Sequence, residues 1–167
     1  MDAEVEERLA KLERLLHRRP YLLYNINIRK NPNDVKTWLK LIDLHRQAGN
    51  LEDCFKTIAR SKETIKSDEA ENGRYSEIWI YGGKLYQELR DLGRCNDNFY
   101  EATMVNYKTI EDYINVWTRW AEILIEEGYP KDALAVVKHV LFRRRIDADN
   151  LKIKNIDDIL KSAALIW

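Results

Sequence analysis

Histidines and cysteines are the side chains in this 167-residue sequence most able to do chemistry. The histidines, His17, His45 and His139, are scattered and show no metal-binding spacing such as H-E-x-x-H. Cys54 and Cys95 form no close metal pair, and two cysteines are too few for a disulfide scaffold. The sequence therefore indicates no catalytic residue, no metal ligand and no cofactor site.

Adjacent acidic residues are a second possible source of chemistry. The pairs Glu126–Glu127 and Asp157–Asp158 are neighbours in sequence, so their side chains point in different directions on a helix. We interpret them as solvated charges or first-turn anions rather than an acid–base pair. The chain is expected not to be an enzyme and to take no small-molecule substrate.

The densest basic cluster has two interpretations: a solvated loop, or a contact with RNA phosphate or an acidic protein surface. It comprises Arg143, Arg144, Arg145, Lys152 and Lys154. Phosphate contact predicts binding that weakens steeply with salt, because bound cations release counterions from the nucleic acid.

Composition limits the class of protein. Lys plus Arg and Asp plus Glu both total 28, so the net charge is zero and a purely electrostatic binder of nucleic acid or membrane is disfavoured. Apolar residues make up 45% of the chain, and Gly (6) and Pro (3) are scarce, which favours helices over turn-rich β architectures. No uncharged apolar run is long enough to span a membrane. These features are typical of an intracellular helical protein with no membrane partner.

The tryptophans reveal an internal repeat. Successive members of one set are 41, 38 and 50 residues apart: Trp38, Trp79, Trp117 and Trp167. Periods of 20–50 residues indicate a repeat array. Aligned on the first three tryptophans, apolar positions fall at helical spacing in two blocks, so each unit is predicted to be helix A, a short turn and helix B.

Two further repeat positions support this alignment. Eleven residues after tryptophan come Gly49, Arg90 and Gly128, and glycine suits the left-handed position that closes a helix. Because Arg90 departs from glycine, the middle helix A is expected to run longer or end differently. Sixteen residues after tryptophan come Cys54, Cys95 and Ala133, whose small volume suits two helices at close approach.

The repeats set the predicted domain bounds. Residues 1–30 are assigned to a helical segment of the preceding repeat, in which Pro20 separates the helix Glu4–Arg18 from a possible second helix, Tyr21–Arg29. Three repeats follow at 31–66, 74–108 and 109–142, and the start of a truncated repeat at 155–167. We therefore expect an all-α chain cut from a longer α-α superhelix, or solenoid.

Packing explains the remaining unusual residues better than binding does. Gly82–Gly83 implies that a neighbouring helix or a bound partner presses on that backbone, since helical glycine costs about 1 kcal/mol. The regular tryptophans are predicted to lie in the core rather than to stack on RNA bases. His45 falls where the other repeats have Tyr86 and Leu124, so a packed histidine is favoured over a ligand.

Three sequence blocks carry a family resemblance. The first leads through an R-R-P step and an R-x-N-P step to a tryptophan: Arg18, Arg19, Pro20, Arg29, Asn31, Pro32 and Trp38. The second is an A-T-x-V-N-aromatic segment before V-W: Ala102, Thr103, Val105, Asn106, Tyr107, Val116 and Trp117. The third is an A-E…Y-x-x-A-L pattern: Ala121, Glu122, Tyr129, Ala133 and Leu134.

In this order the blocks resemble the half-a-tetratricopeptide (HAT) repeats of the Syf/XPA-binding-protein splicing factors, with the crooked-neck scaffolds as nearest competitor. The resemblance implies a superhelix of HAT/TPR-like helical hairpins in a non-catalytic, nuclear scaffold of the spliceosome's NineTeen complex. It also implies protein partners that include another HAT-repeat protein. The alternative is a helical-repeat protein that contacts RNA phosphates through basic loops.

Overall fold

A computed structural model describes residues 2–138 of the chain. The chain divides into two compact units, Met1–Gly73 and Arg74–Trp167. The described residues form helices joined by short turns, which confirms the predicted all-α class for this part of the chain. Across residues 2–138, no helix is both long and apolar enough to cross a membrane.

The first unit contains three α-helices and a short 3-10 helix. They are α1 (Ala3–Lys30), α2 (Val35–Gln47), α3 (Leu51–Thr64) and the 3-10 helix Ser67–Glu69. Because α1 is one continuous helix through Pro20, the predicted division into two helices is wrong. Proline lacks the N–H that would pair with the Leu16 carbonyl. Residues 11–19 are exposed, so water can satisfy that carbonyl and the helix continues.

Side-chain caps and apolar spacing define the hairpin formed by α2 and α3. Asp34 precedes α2, and its Oδ1 accepts a bond from the backbone N–H of Thr37 at 3.1 Å. Asn50 caps α3 in the same way, because its Oδ1 accepts a bond from the backbone N–H of Asp53 at 3.3 Å. On each helix, apolar residues spaced three or four apart form one face, and the apolar faces of α2 and α3 pack together. The buried set is Val35, Trp38, Leu41, Ile42, Cys54 and Ile58.

The second unit repeats this pattern. Its helices are α4 (Ser76–Glu88), α5 (Leu92–Met104), α6 (Ile110–Glu126) and α7, which is described over residues 130–138. Asp91 caps α5 by accepting a bond from the N–H of Arg94 at 3.1 Å. Helix α5 packs on both α4 and α6. The core includes Ile78, Leu85, Phe99, Val116, Ile123 and Leu124.

Candidate functional site

The hairpin turns between helices A and B share one backbone geometry in both units. The residue that closes each helix A has positive φ: +75° at Gly49, +61° at Arg90 and +87° at Gly128. In each turn this residue donates its N–H to the carbonyl three residues back, and the next residue donates five residues back. This is the bond pair of a Schellman motif, which satisfies the last carbonyls of a helix.

Arg90 therefore occupies the glycine position without changing the turn. The prediction of a longer middle helix A is wrong, because α4 ends at Glu88 with Leu89 as its cap. A left-handed conformation costs an L-residue about 1–2 kcal/mol. The Arg90 side chain forms an ion pair with Glu127, Nη1 to Oε2, at 3.2 Å. Gln87 donates to the same carboxylate at 3.1 Å, so two successive turns of this unit are linked through Glu127.

The repeat tryptophans of the described chain lie in the core of their units. Trp38 is fully buried and donates from Nε1 to the carbonyl of Pro32 at 2.9 Å. The Arg60 guanidinium lies 4.9 Å from the centre of the Trp38 ring. Trp79 and Trp117 are also buried. These side chains are engaged in packing, while Trp167 lies outside the described residues.

The small residues of helix B lie at the hairpin interface. Cys54, Cys95 and Ala133 are all fully buried. The Cys54 thiol lies 3.6 Å from the carbonyl of Ile42 on the facing helix. Burial raises the pKa of both Cys54 and Cys95 to about 11, because the thiolate would lose its hydration. Neither thiol is therefore a nucleophile at neutral pH.

A neighbouring helix accounts for the second glycine of the buried pair, Gly83. A β-carbon placed on Gly83 would meet the Phe99 ring, with Cε2 at 2.2 Å and Cζ at 2.5 Å. The ring of Phe99 in turn stacks on Trp120 at 6.0 Å between centroids. Of the two explanations left open by the sequence, the structure shows a helix, α5, against this backbone.

His45 packs against an aromatic ring. Its ring centroid lies 4.9 Å from that of Tyr21 on α1. Burial lowers the pKa of His45, while the Asp53 carboxylate opposes this shift and the Arg60 guanidinium adds to it. The histidine is thus part of the contact between α1 and α2. Among the described residues no group of His, Cys, Asp or Glu could hold a metal ion.

Sequence reasoning missed a strap that closes the first unit. In the predicted bounds residues 67–73 only connect two repeats, but the segment 65–72 crosses back over the start of α2. Asn33 holds it at three points: its Oδ1 accepts from the Lys66 N–H at 2.9 Å, its Nδ2 donates to Glu69 at 3.1 Å, and its carbonyl accepts from the Glu71 N–H at 3.0 Å. The Val35 N–H donates to Glu71 at 3.0 Å. Only the polar run of residues N-P-N-D hinted at this role.

A buried carboxylate has a comparable role in the second unit. Asp112, at the start of α6, accepts from the Ser76 hydroxyl at 2.6 Å and from the Thr109 hydroxyl at 2.9 Å. Arg74 donates to Thr109 at 2.9 Å. Ser76 and Asp112 are both buried, so this network joins the first turns of α4 and α6. No sequence signal pairs two residues that lie 36 positions apart.

The predicted basic cluster Arg143, Arg144, Arg145, Lys152 and Lys154 lies outside the described residues. So do the truncated repeat 155–167 and the end of the repeat 109–142. The repeat bounds therefore stay predictions, although the described hairpins lie at residues 35–64, 76–104 and 110–138.

Three hairpins with the same turn and the same buried positions define an all-α helical-repeat protein. Comparison with known sequences specifies the family. The pre-mRNA-splicing factor Syf1/CRNKL1 C-terminal HAT repeat family matches residues 68–163, and the pre-mRNA-splicing factor SYF1 middle HAT repeat family matches residues 1–67. The chain belongs to the Syf1/CRNKL1 HAT-repeat splicing-factor family, which confirms the resemblance seen in the three sequence blocks.

Curated relatives are pre-mRNA-splicing factors named SYF1 or syf1 homologue. The pre-mRNA-splicing factor SYF1 of Yarrowia lipolytica is 32% identical over 136 residues, covering 80% of this chain and 17% of the relative. Human SYF1 is 29% identical over 137 residues, covering 82% of this chain and 16% of the relative. The Drosophila melanogaster homologue is 28% identical, covering 82% of this chain and 15% of the relative. The chain thus spans about one sixth of the length of these relatives.

Proposed function

We propose that this chain acts in pre-mRNA splicing as part of a non-catalytic scaffold of the spliceosome. The observation that carries the proposal is the succession of two HAT-repeat families of SYF1 along residues 1–163, in the order middle then C-terminal. Such repeats offer extended surfaces for docking, because each hairpin buries its apolar residues against its neighbours.

The chemistry of the described residues supports a scaffold. The two thiols are buried with a raised pKa, and His45 packs on a tyrosine ring. The buried Asp112 carboxylate is bonded to two hydroxyls that join helix starts. These groups hold helices together, so the residues free to act on other molecules are those on the exposed helix faces.

We infer nuclear localisation and protein partners within the splicing complex. The resemblance to Syf-type scaffolds favours the NineTeen complex and another HAT-repeat protein as direct partners. RNA contact through Arg143–Arg145 is the competing function, and no described residue favours it.

Recovery of partners from cells tests this proposal. The tagged full chain is isolated from nuclear extract after ribonuclease treatment, and we expect spliceosomal proteins to remain bound. Gly83→Ala, which disturbs the packing of α4 on α5, is expected to reduce recovery, while the exposed substitution Gly93→Ala keeps it.

Two results would contradict the scaffold proposal. One is recovery that disappears after ribonuclease treatment. The other is loss of binding on charge reversal at Arg143–Arg145 with a steep salt dependence, which indicates phosphate contact. A chain bound to no splicing protein in nuclear extract would contradict both functions.

A further inference from the structure

The sequence contains one asparagine that is followed directly by glycine, Asn72–Gly73. Asn72 is the last residue of the strap, and the pair lies between the 3-10 helix Ser67–Glu69 and the start of α4, so described helices flank it on both sides. Both residues are exposed. Asparagine is among the thermolabile residues of proteins, and the following residue decides how readily its side chain reacts.

The backbone at this pair leaves the Gly73 nitrogen accessible. The chain bends here with positive φ at both residues, +53° at Asn72 and +139° at Gly73. Because glycine has no β-carbon, the preceding side chain can approach its nitrogen closely. The Gly73 N–H donates to no residue within 2–138. This nitrogen can therefore react without the loss of a backbone hydrogen bond from that part of the chain.

The other asparagines that contact the strap lack these features. Asn31 precedes a proline, whose nitrogen has no hydrogen to lose. Asn33 is held through both atoms of its side-chain amide, since Oδ1 accepts from the Lys66 N–H and Nδ2 donates to Glu69. Among the described residues the Asn72 amide has a single hydrogen bond, at 3.2 Å. Asn72 is thus the asparagine of the strap with the least hindered side chain.

We propose that Asn72 is a site of spontaneous deamidation that loosens the strap as the protein ages. The Gly73 nitrogen attacks Cγ of Asn72, so that an N–Cγ bond forms, the Cγ–Nδ2 bond breaks, and the proton of the nitrogen leaves with Nδ2 as ammonia. Water then adds to one carbonyl of the resulting succinimide and breaks its bond to the ring nitrogen. The product is an aspartyl or an isoaspartyl residue. The proposal is independent of the function in splicing.

Deamidation reverses the contact between the strap and the start of α2. Asn72 Nδ2 donates to Asp34 Oδ2 at 3.2 Å, while Asp34 Oδ1 caps α2 by accepting from the Thr37 N–H. Both products replace the amide by a carboxylate, so a second negative charge faces Asp34 in place of a donor. Asp34 forms no ion pair within residues 2–138, so no cation there offsets the repulsion. The strap and the cap of α2 are therefore weakened together.

Tryptic peptide mapping of the 167-residue chain tests the reaction. Cleavage after Lys66 and Arg74 releases residues 67–74, in which Asn72 is the only side-chain amide. During incubation of the folded chain at physiological pH and temperature, we expect this peptide to gain the mass that separates an acid from an amide, and to split into aspartyl and isoaspartyl forms. Peptide 31–36, which contains Asn31 and Asn33, is the internal control and should stay unchanged.

A synthetic peptide of residues 67–74 supplies the rate without structural restraint. We expect the folded chain to react at a rate within tenfold of this peptide, because the pair is exposed and the Gly73 N–H is unbonded. A rate in the folded chain more than tenfold below that of the free peptide would overturn the proposal. So would equal deamidation of peptide 31–36.

Asn72→Asp reproduces the aspartyl product and tests the effect on the strap. We expect a lower urea midpoint for unfolding, with partial recovery at high salt, since salt screens exposed charges. Asn72→Gly is the matched control, because glycine adopts positive φ and removes the amide without adding a charge. Its midpoint should fall less. Equal losses for the two variants, or a loss insensitive to salt, would show that charge repulsion does not loosen the strap.

The double substitution Asn72→Asp/Asp34→Asn exchanges donor and acceptor across the same contact. Asparagine caps helices about as well as aspartate, so the start of α2 keeps its cap. We expect the double variant to regain most of the urea midpoint lost by Asn72→Asp, with Asp34→Asn alone completing the double-mutant cycle. A double variant no more stable than Asn72→Asp would overturn the assignment of the loss to Asp34.

Discussion

The Phe99 ring occupies the space that a β-carbon on Gly83 would need, with Cε2 only 2.2 Å from that position. Since Gly83 lies inside α4, its conformational cost is offset by the close approach of α5. We expect Gly83→Ala to lower the free energy of unfolding by about 1–3 kcal/mol, the usual effect of overpacking a core. Urea denaturation followed by circular dichroism measures this change.

Gly93 is the matched control for that substitution. It also belongs to a helix, in the first turn of α5, and a β-carbon there would meet only Asp91 Oδ1, at 3.7 Å. Gly93→Ala is therefore expected to stabilise the protein by about 0.4–1 kcal/mol, because alanine restricts the unfolded chain more than glycine does. Similar losses for both alanine variants would mean that the Phe99 contact does not limit position 83.

Arg90 holds a conformation that glycine adopts more easily. We expect Arg90→Gly to raise the free energy of unfolding by about 0.5–1 kcal/mol. Relief of the positive φ should outweigh the loss of the ion pair with Glu127, because the Arg90 side chain is exposed and Gln87 still donates to that carboxylate. Gly49→Ala should have the opposite sign, since its β-carbon would meet nothing within 4 Å and only φ is at issue. Destabilisation by Arg90→Gly would show that the link to Glu127 dominates.

The buried tryptophans are expected to carry much of the core stability. Trp117→Ala should cost about 3–5 kcal/mol, the range for removing a large aromatic side chain from a core. Thermal unfolding provides the measurement. Tyr129→Ala removes an exposed aromatic ring as a control and should leave the melting temperature almost unchanged. An unaltered melting temperature for Trp117→Ala would contradict its place in the core.

The buried thiols predict a loss of stability in alkali. Cys54 and Cys95 have a pKa of about 11 in the folded chain, against an ordinary value of 9.0. Unfolded thiols ionise first, so stability should be unaffected below pH 9 and fall as the pH rises from 9 towards 11. A Cys54→Ala/Cys95→Ala variant should show a shallower decline in unfolding experiments across this range. An identical decline would assign the effect to other groups.

His45 predicts a loss of stability in mild acid. Its pKa is lowered from 6.5 in the folded chain by burial, so the unfolded chain binds a proton more readily. Stability from this residue is complete above pH 6.5 and decreases as the pH falls below that value. His45→Phe, which removes the ring that takes up the proton, should reduce this dependence. Denaturant midpoints measured between pH 7.5 and 5 provide the comparison.

Periodicity explains what could be predicted from this sequence. The offset from each tryptophan to its turn and to its small residue follows from helix geometry, so the hairpins around Trp38, Trp79 and Trp117 were accessible. Predictions from local sequence were wrong where the structural surroundings of a residue override its intrinsic backbone preference. Pro20 continues a helix because the turn before it is exposed to water, and Arg90 adopts the left-handed form because the Schellman bonds fix the backbone there.

Hydrogen bonds between residues far apart in sequence could not be predicted from the periodicity. The bonds from Asn33 to the segment 66–71 and the Ser76–Asp112 contact join residues more than 30 positions apart. No repeat spacing encodes which amide or hydroxyl meets which carboxylate. Such pairs emerge only once the helices are placed.

Because of the strap held by Asn33, the repeat defined from the sequence is shorter than the segment that its hydrogen bonds require. The predicted repeat ends at residue 66, yet the carbonyl that receives the Val35 N–H belongs to Glu71. A polypeptide cut at the end of the repeat would leave that donor and the Asn33 side chain without their partners at the entrance to α2. When hairpins of this kind are exchanged or stacked into designed arrays, the connecting segment must therefore travel with the hairpin that precedes it.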